Sequence, residues 1–183
     1  MENLIYRFIY SQEKLCGDSV PEWLPSMGMI GYAAGYIGFF AYLRLCGSVF
    51  PGVFSCLLLV IMMLAAEMLS VAIIHLFISF SGKKGNAATL FYLFGCSCFL
   101  FTLFIPAGIL ARISQSAAGW FFLALYAAIF VFRVKMLRRT YSHISIGKSV
   151  LAIFIPGIML QAMLYLFMIY GIVNGIWLIK MSV

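Results

Sequence analysis

Five apolar stretches, each long enough to cross a bilayer as a helix, alternate along this chain with short polar turns that carry most of its charge. A helical span needs about 20 predominantly apolar residues. In hydrocarbon, the backbone can satisfy its own N–H and C=O groups only as a helix or a closed barrel. The stretches are Met27–Leu43, Val53–Phe80, Ala88–Ala111, Ala117–Phe132 with up to one further turn, and Ser149–Ile179. Arg44 and the turn around Pro51 end the first, and Ser81-Gly82-Lys83-Lys84-Gly85-Asn86 ends the second. Arg112 ends the third, and Arg133, Lys135, Arg138 and Arg139 close the fourth. The pattern predicts an all-α, polytopic transmembrane helix bundle of five spans. The first stretch is the shortest and is rich in glycine, so four spans are the alternative.

Composition agrees with this. Apolar residues make up 65% of the chain and charged residues 9%, against about 25% charged in soluble domains. Seventeen charged side chains, the 12 Lys and Arg and the 5 Asp and Glu, could not cover a water-soluble globule of this size. The net charge of +7 would suit a nucleic-acid partner, but the cations lie in turns between spans. There they set topology and meet anionic lipid headgroups, so the lipid bilayer is the expected partner and nucleic acid is not. Cys16, Cys46, Cys56, Cys96 and Cys98 are odd in number and contain no CxxC pair. They predict neither a disulfide framework nor a metal site, and read as small buried apolar side chains.

Residues 1–25 form an N-terminal segment, and residues 26–183 a single transmembrane bundle. In the segment, Leu4, Ile5, Phe8, Ile9 and Leu15 recur at helical spacing, as in a short interfacial helix. Its acidic residues argue against a cleavable signal. With five spans, Arg7, Lys14, Lys83, Lys84, Arg133, Lys135, Arg138, Arg139 and Lys148 share one side, and Arg44, Arg112 and Lys180 the other. The positive-inside rule then places the N-terminus in the cytoplasm and the C-terminus outside.

From about residue 50 onward, the layout resembles the Yip1 family of multi-span membrane proteins, in its bacterial form. The resemblance rests on the turn Gly82-Lys83-Lys84-Gly85 after a long second span, and on Phe91-Tyr92-Leu93-Phe94-Gly95 and Pro106 in the third. Tyr126 in the fourth span and the loop Ser142-His143-Ile144-Ser145-Ile146-Gly147-Lys148, which leads into a final span with Pro156, complete it. The chain lacks the Asp-Leu-Tyr-Gly and Tyr-Gly-Tyr-Ser stretches of eukaryotic members. The resemblance implies five helices, a cytoplasmic N-terminus, no enzymatic site and location in a bacterial inner membrane.

Among residues that could carry chemistry, Glu67 is the one acid inside a span. An ionised carboxyl at that depth costs roughly 2.5–3.5 kcal/mol on insertion scales. It is expected to face the bundle as a neutral acid, bonded to a polar group of the third or fifth span such as Ser97, Thr102 or Gln161. His75 lies two turns further along the same span, and the chain's other histidine, His143, is in a loop. No bis-histidine haem site, and no cofactor, is therefore expected. Gly28, Gly31, Gly35 and Gly38 follow 3-4-3 spacing and line one helix face, suited to close packing within the chain or, as the alternative, to dimerisation. Arg133, Lys135, Arg138, Arg139 and Lys148 form a basic cytoplasmic cluster for lipid headgroups or an acidic partner. No serine–histidine–acid set, carboxylate pair or metal-ligand group stands out, and no soluble substrate is indicated. The expected function is therefore non-enzymatic: a membrane scaffold, or an accessory subunit alongside other membrane-protein chains. The alternative is a small transporter or channel with Glu67 in its path.

Overall fold

The computed structural model describes residues 22–47, 52–141 and 144–159. The expected interfacial helix, Gln161 and the rest of the fifth apolar stretch lie outside these residues. The described residues are all-α, without strands. Helix α1 spans Trp23–Leu45 and α2 spans Val53–Phe80. Helix α3 (Ala87–Cys98) continues through a 3-10 segment, Phe99–Leu103, into α4 (Phe104–Ala111). Helix α5 spans Gln115–Thr140 and α6 spans Ile146–Met159.

The local sequence accounts for the boundaries. Helix α2 ends in a Schellman turn: Gly82 takes φ +72°, its N–H bonds Ser79 O, and Lys83 N–H bonds Ile78 O. Only glycine adopts that left-handed position without strain. Asn86 caps α3 by accepting from the amides of Ala88 and Thr89, and Ser114 caps α5 by accepting from Ala117. The 3-10 segment lies just ahead of Pro106. Proline's ring and missing N–H disturb the preceding turn of an α-helix, and tightening to i→i+3 bonds relieves this.

Three helical stretches are long and apolar enough to cross a membrane: α2, the continuous α3–α4 unit Ala87–Ala111, and α5. Helix α1 has the length but is less apolar, and α6 is described for one short stretch. The α3–α4 unit is the centre of the bundle, with 56% of its apolar window buried against 17% for α2 and 22% for α5. Helices α1, α2 and α5 all pack on α3.

The glycine face of α1 makes the closest of these contacts. A Cβ at Gly28 would stand 2.6 Å from the carbonyl oxygen of Tyr92. One at Gly31 would run into Gly95, one at Gly35 into the Cys98 backbone, and one at Gly38 would reach 2.9 Å from Thr102 Cα. Further along, Tyr42 and Leu45 pack on Gly108. The partner residue numbers rise together, so α1 and the α3–α4 unit run parallel.

Candidate functional site

Where α2, α3 and α5 meet inside the bundle, the structure assembles a polar cluster. Arg133 Nη2 donates to Glu67 Oε1 at 2.6 Å, and Arg133 Nε donates to Ser97 Oγ at 3.0 Å. Its Nη2 lies 3.6 Å from Cys98 Sγ, and the guanidinium carbon stands 4.9 Å from the Phe94 ring centroid. The Ser97 hydroxyl donates to Phe94 O, which fixes its lone pairs toward Arg133. Both charged side chains are largely buried, 16% exposed for Arg133 and 12% for Glu67.

This corrects two expectations. Glu67 faces the bundle, but its described partner is a cation on the fourth apolar stretch rather than a neutral group on the third or fifth. Arg133 does not belong with the basic cluster expected to meet headgroups, because α5 continues to Thr140 and leaves it seven residues inside the helix. An arginine near a membrane helix end usually snorkels toward the headgroups. Here the carboxylate, the Ser97 oxygen and the Phe94 face hold it inside.

The pairing also has a physical rationale. Each charge alone would be costly in a low-dielectric interior. Together they form a net-neutral unit, with the cation's planar face covered by an aromatic ring. Glu67 Oε2 is buried and has no hydrogen-bond partner among the described residues.

Around the pair, Tyr32 donates to Phe91 O at 2.8 Å and Tyr36 to Met63 O at 3.4 Å, tying α1 to α3 and α2. Closer to the α2 C-terminus, His75 Nδ1 and Tyr141 Oη are 2.6 Å apart. The Tyr141 ring covers Gly85, where a Cβ would collide with it. Burial pushes the Tyr141 phenol up to about 12.

Two other members of the expected basic cluster flank the turn between α5 and α6. Arg138 Nε donates to Ile144 O at 3.4 Å, and Lys148, on the first turn of α6, has its amide capped by Ser145. Described cysteines 46, 56, 96 and 98 are free thiols, and among the described residues no three His, Cys, Asp or Glu side chains cluster as a metal site.

The roles of Arg133, Tyr141, Tyr32 and Tyr36 were not legible from the sequence alone. One signal was available. Glu67 and His75 are eight residues apart, and so are Arg133 and Tyr141, a repeat that would place two polar pairs between parallel helices. Comparison of the chain with models of known protein families, with curated proteins and with solved structures finds no match.

Proposed function

We propose that this protein is a non-enzymatic, Yip1-like multi-span membrane protein that scaffolds other membrane components or serves as an accessory subunit of a membrane complex. The observation that carries this reading is the Glu67–Arg133 pair: the acid that a transporter would be expected to use is tied up in a bond between helices. An apolar helix face is open for interaction. Helix α2 leaves Leu57, Leu58, Ile61, Met62, Met68, Leu69 and Leu76 exposed, a surface for lipid and for the helices of a neighbouring subunit.

The proposed topology has five spans, with the N-terminus in the cytoplasm of a bacterial inner membrane and the C-terminus outside. Support for α1 as a span comes from its packing. It follows the α3–α4 unit from Gly28 at Tyr92 to Leu45 at Gly108, about 25 Å of helix at 1.5 Å per residue. That is most of a hydrocarbon core of roughly 30 Å.

Photo-crosslinking residues placed at Leu58 and Ile61 test the reading in native membranes. They are expected to capture a discrete membrane-protein partner, which also co-purifies in mild detergent. A stable, monodisperse monomer with no adduct at either position would overturn it.

A second reading is favoured by one atom. Glu67 Oε2, buried and without a hydrogen-bond partner among the described residues, could accept a proton or a donor group from a passing solute. Reconstituted vesicles separate the two readings: a proton or solute flux abolished by Glu67→Gln in a correctly assembled protein supports transport.

A further inference from the structure

At one end of the bundle α1 stops and α5 starts: Leu45 packs on Gly108 of α4, and the Tyr42 ring stacks on Phe122 of α5 at 5.8 Å. There the first turns of α2 and α5 present large aromatic side chains outward, Phe54 at 78% exposure and Trp120 at 70%. The relative depth of these two follows from the polar pairs. Glu67 with Arg133 and His75 with Tyr141 hold α2 and α5 parallel at an offset of 66 residues. Phe54 and Trp120 have that same offset. Both helices are unbroken between these residues and the Glu67–Arg133 pair, so the two aromatic side chains leave their helices at one level.

That level coincides with a bilayer boundary. Trp120 and Arg138, an exposed cation in the last turn of α5, are 18 residues apart, about 27 Å of helix. The hydrocarbon core is roughly 30 Å thick. Trp120 is also five residues inside the start of α5, about 7 Å, which is close to the depth of one headgroup layer. Beyond it at the same end, Arg44 in the last turn of α1 and Arg112 at the cap of α4 are exposed, and guanidinium groups suit phosphate. An exposed indole needs an apolar medium for its ring and an acceptor for its N–H. Where acyl chains meet ester carbonyls, both are present.

We propose that Phe54 and Trp120 form one anchoring belt at the headgroup–hydrocarbon boundary of the leaflet that receives the starts of α2 and α5. The Trp120 indole N–H donates to lipid ester carbonyls, and both rings lie on the first carbons of the acyl chains. The belt fixes the depth of the bundle, with Arg44 and Arg112 at the level of the phosphates. This inference rests on α2 and α5 crossing the bilayer, and holds whether the protein is a scaffold or a transporter.

The test uses the full chain in phosphatidylcholine vesicles whose acyl chains are brominated either near the glycerol or near the methyl end. Bromine quenches an indole that it touches, and the difference between wild type and Trp120→Phe isolates Trp120 from Trp23 and Trp177. Shallow bromines are expected to remove more of the Trp120 emission than deep ones, and aqueous iodide only a part of it. In the Trp120→Phe background, Phe54→Trp should give the same ranking. Val131→Trp, 52% exposed and 11 residues further along α5, should give the reverse, because about 16 Å of helix carries it to the bilayer centre. Should a tryptophan-bearing variant lose its size-exclusion profile, wild type against Trp120→Phe decides the question. Stronger quenching of Trp120 by deep bromines, or quenching by iodide with no effect of bromine, would overturn the belt. Protection from both quenchers would overturn it in favour of a protein helix covering Trp120.

Discussion

Arg133 and Glu67 are 66 residues apart in sequence and 2.6 Å apart in space, and Tyr141 and His75 repeat the same offset at 2.6 Å. Each pair therefore joins α2 to α5 or its cap, and the pairs are eight residues apart on both sides. At 1.5 Å per residue this is about 12 Å of helix, so α2 and α5 run parallel and in register over that length. Helix α3 supplies the groups between them: Phe94, Ser97 and Cys98 all contact Arg133. The central helix thus carries the environment that makes a buried guanidinium tolerable.

Breaking the pair on one side should cost more than removing it entirely. Glu67→Gln leaves Arg133 as a buried cation without its counter-charge, and Arg133→Gln does the reverse. Losses of about 3–5 kcal/mol are typical for such single changes in soluble proteins, whereas apolar replacement of both partners is often neutral. Glu67→Leu combined with Arg133→Leu should therefore be more stable than either Gln variant, measured as the midpoint of thermal aggregation in detergent. Strictly additive losses would refute the coupling.

Glycine substitutions should separate by position. Gly35→Ala pushes a methyl into the Cys98 backbone, which cannot yield without moving a helix. It should lower the melting temperature and the folded yield. Gly119→Ala, on α5 with nothing within 4 Å of the added carbon, should be neutral or stabilising by up to about 1 kcal/mol, as for a helix-interior glycine. The two variants in one thermal series provide the comparison.

Tyr141 makes a pH-dependent contribution. Its folded-state value of about 12 lies above the ordinary 10.0 because burial disfavours the phenolate. The folded protein then holds the proton more tightly than the unfolded chain, so stability is intact below about pH 10 and falls as pH rises from about 10 to 12. Tyr141→Phe should flatten that part of the profile, and at neutral pH should cost about 0.5–1.5 kcal/mol for the lost bond to His75. Equal slopes for the two proteins between pH 10 and 12 would be inconsistent with this account.

Topology is open to direct measurement. Reporters fused after Lys84 and within residues 135–148 are expected to read cytoplasmic, and those after Arg112 and Val183 external. A cytoplasmic reading at Val183 would exclude five spans in favour of an even number.

Much of the architecture is local information, and so is legible in the sequence. The length and apolarity of Val53–Phe80 and the helix stop at Ser81-Gly82 follow from residues within a few positions of one another. Spacing alone also places Gly28, Gly31, Gly35 and Gly38 on one face, although it does not say which neighbour that face meets. The polar cluster was only half legible. A carboxyl at Glu67's depth must turn inward, because hydrocarbon offers it no partner. Which group it meets depended on how far α5 continues past Phe132 and on its register beside α2. Both are set by long-range packing on α3, to which Arg133 itself contributes through Ser97 and Phe94. By charge alone Arg133 resembles Lys135 and Arg138. The tertiary structure distinguished it, because a guanidinium is stable inside a bilayer only where carboxylate, hydroxyl and aromatic ring from separate helices converge on it.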